Sequence, residues 1–190
     1  MNALAPTTTI ASRLWPQSAG NALLRGVVLV LFGNVLLALS AHLQVPMWPV
    51  KLSMQTFVVL AIGVAYGSRL GGATVLTYLV EGAFGLPVFQ SGAGLAYMAG
   101  PTGGYLLGYL LAVVAVGALA ERGAMSRLPT ALGVILIGEM LIYAPGIAWL
   151  AVLFGAEKSI AYGLTPFLPG EALKIGLALA SVPVIRRITR

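Results

Sequence analysis

One short segment near the carboxyl end of the chain combines two opposite charges with an otherwise apolar sequence. The segment LTPFLPGEALKIGLALA (164–180) contains Glu171 and Lys174, which are three residues apart and therefore share one face of a helix. Pro169 is typical of a first helical turn, where the helix dipole favours an anion such as Glu171. Two interpretations are open: an interfacial ion pair that caps and anchors the helix, or two polar anchors for a ligand. In the second, the carboxylate accepts from N–H donors and the ammonium donates to a carbonyl or carboxylate.

The composition of the chain places these charges in a membrane protein. Of its 190 residues, 59% are hydrophobic and 8% are charged, and the mean hydropathy is +0.96. Soluble domains carry about 25% charged residues. We therefore predict an all-α integral membrane protein, in contact with the lipid bilayer, whose length allows about six spans of about 20 residues. The net charge of +6 is interpreted as a topology signal rather than as a nucleic-acid surface.

Six apolar runs are separated by proline, glycine or charged residues. They cover about 23–42, 52–66, 71–86, 102–120, 130–154 and 169–186. These runs predict a six-transmembrane-helix bundle over residues 22–190, preceded by a cytoplasmic N-terminal lead-in at residues 1–21 that lacks the apolar core of a signal peptide. A glycine-rich loop without charge lies at 87–104, between the third and fourth runs.

The basic residues are distributed unequally between the ends of these runs. With the amino terminus inside, the inner side receives eight basic residues and the outer side two, which predicts that both termini are cytoplasmic. The inner set is Arg13, Arg25, Arg69, Arg122, Arg127, Arg186, Arg187 and Arg190, and the outer set is Lys51 and Lys158. The same orientation gathers the polar groups near Gln55, Glu81, Glu171 and the 87–104 loop on the external side. That arrangement predicts a pocket that opens outward beneath the loop.

Two acids lie alone within apolar runs. Glu81 and Glu139 are candidates for proton relays or ligand contacts, and the alternative is a neutral or paired carboxyl between helices, which we favour for Glu139. His42 is interpreted as an interfacial residue rather than a metal ligand. Ala22 and Gly26 form a small-xxx-small pair that lets another helix approach closely, either a partner's helix or one of the same bundle.

The sequence contains no motif typical of a nucleotide-binding site or a catalytic site. Gly92-Ala93-Gly94 lacks the third glycine and the preceding strand of a dinucleotide fingerprint, and 155–159 lacks the spacing of a Walker A loop. The chain has no cysteine, no metal-ligand cluster and no nucleophile–histidine–acid set. We therefore predict that it is not an enzyme and that it holds no metal or cofactor.

Four segments of the chain form a recognisable set: PVKLSMQTFVVLAIGVAYGSRLGG (49–72), YLVEGAFGLPVF (78–89), GPTGGYLLGY (100–109) and FLPGEALK (167–174). Together they resemble the BioY family, the biotin-specific S components of energy-coupling factor (ECF) vitamin transporters. The resemblance implies six helices in a prokaryotic cytoplasmic membrane and an external biotin pocket closed by loops. It also implies a membrane T component and two ABC-type ATPases as partners.

The resemblance also assigns residues to the biotin site. Glu171 and Lys174 match the acid and lysine of the family's Pro-Gly-Asp-x-x-Lys motif, which contact the biotin rings, although glutamate here replaces the usual aspartate. Gln55 matches the glutamine of the family's Leu-Gln-Thr motif. The remaining candidates for the wall of the biotin pocket or for contacts with biotin are Gly92, Gly94, Tyr97 and Glu81.

The partner of the biotin carboxylate stays unassigned at this point. Some family members carry an arginine just after the GGY segment, where this chain has Leu106. Lys51, at the predicted external mouth, is one candidate for the anionic tail. The leading hypothesis is a high-affinity biotin-binding and uptake subunit, and the alternative is an autonomous small-solute channel or a proton-coupled carrier that uses Glu81 or Glu139.

Overall fold

The computed structural model describes residues 9–15, 22–45 and 51–189, apart from a few side chains at 45, 186, 188 and 189. Within these ranges the chain is mostly helical. The helices are α1 (Ile10–Leu14), α2 (Ala22–His42), α3 (Gln55–Ala83), α4 (Gly94–Met98), α5 (Gly103–Glu121), α6 (Leu128–Phe154), α7 (Ala156–Gly163) and α8 (Leu168–Thr189). Two short antiparallel strands, β1 (Gln44–Val45) and β2 (Leu52–Ser53), pair between α2 and α3.

Five helical ranges of the described chain are long and apolar enough to cross a membrane. They are α2, α3, α5, α6 and the range Ala156–Ile185, which joins α7 to α8. The prediction of an all-α, multi-pass membrane protein is confirmed at this level. The predicted count of six is not confirmed, because the runs predicted at 52–66 and 71–86 form the single helical range α3.

Within α3 the helix is interrupted at Gly67. Its φ of 81° and ψ of −177° lie outside the helical region, and a positive φ of this kind favours glycine. The Gln55 Nε2 donates to the Tyr78 hydroxyl at 2.7 Å across 23 residues, which a continuous helix would separate by about 35 Å. A Cβ on Gly71 would lie 3.6 Å from the Gly63 Cα. The range is therefore a helical hairpin whose two halves, 55–66 and 68–83, run back along each other.

Close backbone contacts place α5 between the α3 hairpin and α6. A Cβ on Gly117 would come within 2.7 Å of the Ser68 Cα, and a Cβ on Gly108 within 2.7 Å of the Ile142 Cα. Small residues allow helices in a membrane to approach in this way, where packing rather than water exclusion drives association. The buried core follows these three elements, with Val59, Val113 and Ile142 fully enclosed.

The described ends of the chain meet at one end of the bundle, here called the Gly67 end. Thr9 lies against the Gly67 turn, and Ile10 shares an apolar groove with Ile185 near the end of α8. The predicted lead-in at 1–21 thus contains a short helix whose Ala11 is buried, and Thr9 caps it by accepting from the Ser12 N–H. Residues 1–8 and 16–21 of the lead-in lie outside the described residues, and the boundary at 21 stays a prediction.

Candidate functional site

The charged pair of α8 lies buried at the opposite end of the bundle, here called the Glu171 end. The helix begins at Leu168, so that Pro169 and Glu171 fall in its first turn as the sequence predicts. Lys174 Nζ lies 2.8 Å from Glu171 Oε1, and only 5–6% of either residue is exposed. The pair therefore differs from an interfacial anchor, because both charges are withdrawn from solvent and need internal hydrogen bonds.

All three N–H donors of Lys174 are used inside the protein. Besides Glu171, the ammonium donates to the Thr56 hydroxyl at 2.9 Å and to the backbone carbonyl of Ser53. These two partners lie where β2 runs into the first half of α3. Lys174 consequently ties α8 to the start of the α3 hairpin.

The Glu171 carboxylate is held by hydroxyl groups from two other helices. Tyr143 of α6 donates to Oε1 at 2.9 Å, and Thr56 of α3 donates to Oε2 at 3.1 Å. A carboxylate has about four acceptor positions, and the described residues leave part of the capacity of Oε2 unused. Glu171 lines an internal cavity, so this remaining capacity is available to a ligand.

Two side-chain amides extend the polar network around the same cavity. Gln55 donates to Tyr78, whose hydroxyl in turn donates to the Val88 carbonyl at 2.8 Å. Gln90 Nε2 donates to the Ser53 hydroxyl at 2.7 Å. The Gln90 Oε1 is buried and has no hydrogen-bond partner among the described residues, so it presents an unsatisfied acceptor in the cavity wall.

Aromatic side chains form most of the remaining wall. Phe89 stacks on Tyr97 with ring centroids 5.1 Å apart and meets Tyr78 edge-on at 5.4 Å. The cavity they enclose has a volume of about 30 Å³, which is room for about two water molecules. Its lining residues are Lys51, Leu52, Ser53, Gln55, Thr56, Phe89, Gln90, Tyr97, Thr102, Tyr105, Leu106, Tyr109, Tyr143, Phe167 and Glu171.

The predicted glycine-rich loop, now the connection 84–102 between α3 and α5, is folded onto this cavity. It contains the short helix α4, and the Phe89 ring occupies the space that a Cβ on Gly82 would need. Trp149 of α6 donates from its indole N–H to the Gly100 carbonyl at 2.9 Å. The connection is thus attached to α3 and α6 and covers the cavity between them.

The structure brings some of the predicted site residues together and leaves others outside the cavity wall. Glu171, Gln55 and Tyr97 line the cavity, as do Lys51 and Leu106. The wall does not include Lys174, Gly92, Gly94 or Glu81.

Each residue outside the wall has another structural position. Gly92 lies beneath Tyr97, where a Cβ would approach the ring to 2.9 Å, and Gly94 begins α4 with a φ of 85°. Glu81 accepts from Asn34 Nδ2 of α2 at 3.3 Å. Ala22 and Gly26 lie on α2 at the Gly67 end, far from the cavity.

Several cavity residues were not predicted from the sequence. Thr56 and Tyr143 bind Glu171 across 115 and 28 residues of chain, and no local spacing indicates such a contact. Gln90 lies within the predicted glycine-rich loop at 87–104, where no motif distinguishes it from its neighbours. Glu139 is buried on α6 with Oε2 unpaired among the described residues, and its role stays a prediction. Within the described ranges, no three His, Cys, Asp or Glu side chains lie close enough to hold a metal.

Comparison with known proteins gives consistent matches over nearly the whole chain. The model of the BioY family matches residues 9–190. The "Probable biotin transporter BioY" of Rickettsia prowazekii is 30% identical over 171 residues, which are 90% of this chain and 88% of that protein. The "Biotin transporter BioY" of Thermotoga maritima is 35% identical over 147 residues, which are 76% and 86% of the two chains.

A solved structure has the same fold. It is a crystal structure of the S-component for biotin from an ECF-type ABC transporter, and it matches with a TM-score of 0.77 at 23% identity. The match covers 90% of this chain and 94% of that chain. At this identity the likeness establishes the shared fold, and the site must be argued from the residues of this chain.

Proposed function

The chain belongs to the BioY family, and on that premise we propose that it is the biotin-binding membrane subunit, or S component, of an ECF-type vitamin transporter. The family assignment made from the four sequence segments is confirmed. Because this is a family of transporter subunits, the chain is a transport protein and not an enzyme. The observation that carries the proposal is the buried Glu171 carboxylate, fixed by three helices at the wall of a cavity with amide and aromatic groups.

The chemistry of the cavity matches the groups that biotin presents. Its ureido ring offers two N–H donors and one carbonyl, and its thioether ring is apolar. Glu171 Oε2 and Gln90 Oε1 are acceptors with free capacity, and they would receive the two ureido N–H groups. The aromatic wall of Phe89, Tyr97 and Tyr143 suits the thioether ring. Buried polar partners of this kind reject analogues that lack the matching group.

Lys174 has a supporting role in this arrangement. Its three donors go to Glu171, Thr56 and Ser53, so it orients the carboxylate and balances its charge rather than facing the ligand. Lys51 lines the cavity and is half-buried at the start of β2. We assign to it the carboxylate tail of biotin, because it is the cation of the cavity wall among the described residues.

Binding requires the cavity to enlarge. Ligand pockets usually have volumes of about 300–1,000 Å³, well above the 30 Å³ found here. Phe89 and Tyr97 belong to the 84–102 connection, and their displacement would open the cavity between α3 and α6. The connection is thus proposed to act as a lid that closes again over bound biotin.

The proposed arrangement in the membrane follows from the hairpin. The two halves of α3 are taken as separate crossing segments, which gives six crossings with both termini cytoplasmic in a prokaryotic membrane. Arg25, Arg69, Arg122 and Arg127 lie toward the Gly67 end, which the positive-inside rule assigns to the cytoplasm. The lid then faces outward.

The partner proteins belong to the same proposal. A T component would approach α2 at Ala22 and Gly26, and two ABC-type ATPases would supply the energy.

A reconstitution experiment tests this function against an autonomous channel or proton-coupled carrier. The purified chain should bind biotin with one-to-one stoichiometry in calorimetry. In liposomes it should move labelled biotin only when the T component and ATPases are added with ATP. Flux by the chain alone, driven by a pH gradient and abolished in Glu139→Gln, would assign the carrier function instead.

A further inference from the structure

A second buried cation lies at the Gly67 end of the bundle. Arg25 is in the first turns of α2 and is only 5% exposed. Its Nε is buried without a hydrogen-bond partner, and the described chain provides no ion pair to its guanidinium. A guanidinium has five N–H donors and carries its charge at every accessible pH. Burial of such a group without an anion is unfavourable, and the described residues supply no anion to it.

Arg25 lines an open groove of about 430 Å³ between α1, α2 and the turn of the α3 hairpin. A second arginine, Arg69, lines the same groove, together with Tyr66 and Glu121. The Glu121 carboxylate accepts from the Ser68 N–H at 2.8 Å and from its hydroxyl at 3.0 Å, and it is thus engaged with the hairpin turn. Two arginines and one carboxylate line the groove, which therefore has an excess of positive charge.

The shape and charge of the groove fit a phosphate group. Planar guanidinium groups bind phosphate oxygens through paired, charge-assisted hydrogen bonds. Among the described residues, a Cβ on Gly26 would meet nothing within 4 Å, so the groove is open beside this residue.

The apolar surroundings indicate that the phosphate belongs to a lipid. The groove adjoins the outer face of α2, where Leu23, Leu24, Val27 and Val28 are exposed. It also lies at the end of the spanning helices, and the ends of helices that cross the hydrocarbon core of a bilayer meet the headgroups. Basic pockets between helices at this level bind anionic headgroups. We propose that the groove around Arg25 and Arg69 binds the phosphate of an anionic phospholipid, whose acyl chains lie along α2.

This site is separate from the biotin cavity and does not rest on the proposed function. Ala22 and Gly26, the predicted contact for a partner helix, lie on the wall of the same groove. The lipid would therefore occupy this surface in the chain alone. An acidic side chain of a partner protein is the competing occupant, and free phosphate is the competing source of the anion.

Native mass spectrometry of the purified full-length chain tests the proposal. The protein is exchanged into mixed micelles of phosphatidylglycerol or phosphatidylcholine, and bound lipid is counted at increasing collision energy. We expect retention of phosphatidylglycerol over phosphatidylcholine, and at least about a tenfold loss of that preference in Arg25→Gln and in Arg69→Gln. Arg127→Gln, which removes an exposed arginine at the same end, is the matched control and should retain the lipid.

Each other outcome overturns the assignment. Equal retention of the two lipids, or equal loss in the control, would mean that the groove has no headgroup specificity. Thermal stabilisation by inorganic phosphate equal to that by phosphatidylglycerol would make free phosphate the ligand. Normal lipid retention in Arg25→Gln, with loss of binding to the T component, would assign the groove to a protein partner. Thermal unfolding reports on folding, and Arg69→Gln decides the question if Arg25→Gln does not fold.

Discussion

Gln55 and Tyr78 are joined by a hydrogen bond of 2.7 Å, although they lie at opposite ends of one helical range. The bond closes the α3 hairpin at the Glu171 end, and the Tyr78 hydroxyl in turn donates to the Val88 carbonyl. The start of α3 and the first part of the lid are therefore one hydrogen-bonded unit. A change in this pair should affect the stability of the hairpin and the position of the lid together.

Removal of the Tyr78 hydroxyl tests this connection. Tyr78→Phe leaves the Gln55 amide and the Val88 carbonyl unpaired, which we expect to cost about 1–3 kcal/mol of stability. Thermal unfolding in detergent measures the loss. Tyr66→Phe is the control, because the described residues give its hydroxyl no hydrogen bond. Equal melting temperatures for the two variants would contradict the proposed role of the network.

The turn of the hairpin depends on a single glycine. Gly67→Ala should destabilise the protein by about 1–2 kcal/mol or more, because the residue has a φ of 81° and its Cβ would meet the Glu121 carboxylate. Gly133→Ala on α6 is the control, since a Cβ there meets nothing within 4 Å and alanine favours a helix. The melting temperatures of the two variants and the parent protein are compared. An unchanged melting temperature for Gly67→Ala would mean that the reversal of the chain does not depend on this glycine.

Movement of the lid should be visible in limited proteolysis. Chymotrypsin cleaves after aromatic residues. Phe89 is buried in the cavity wall and Tyr97 is half-buried, so cleavage after Phe89 requires that the lid leave the cavity. Biotin should slow this cleavage, whereas tryptic cleavage at Arg122 and Arg127 should not change. Equal chymotryptic rates with and without biotin would indicate a passive connector.

The local features of the fold could be predicted from the sequence. Apolar runs place the helices because hydropathy reports on the lipid environment, and the start of α8 follows from Pro169. The pairing of Glu171 with Lys174 follows from their spacing. In each case the determining residues are close together in the chain, so a local pattern contains the information.

Other features depend on contacts that no local pattern encodes. The apolar runs 52–66 and 71–86 predict a break between them, and the structure places the reversal at Gly67. The close packing of the two halves of α3 at Gly63 and Gly71 is a contact that the sequence does not predict. Thr56 and Tyr143 reach Glu171 only after the helices have packed. The supporting role of Lys174 depends on the backbone carbonyl of Ser53, which every residue type possesses.

The dissociation constant of biotin for Glu171→Ala tests the central claim most directly. Loss of one partner from a buried, charge-assisted hydrogen bond costs about 2–5 kcal/mol, which corresponds to roughly 30-fold to several-thousand-fold in affinity. We predict at least about tenfold weaker binding by Glu171→Ala and by Lys174→Ala, in proteins that still fold in detergent. Glu171→Asp, which restores the family's usual residue, should be the mildest change.

Glu157→Ala serves as the matched control, because Glu157 is an exposed acid in the first turn of the neighbouring helix α7. Isothermal titration calorimetry on the four variants and the parent protein gives the comparison. The account predicts native affinity for Glu157→Ala and a large loss for Glu171→Ala. Native affinity in a folded Glu171→Ala protein would contradict it and would leave the charged pair as a cap of α8 alone.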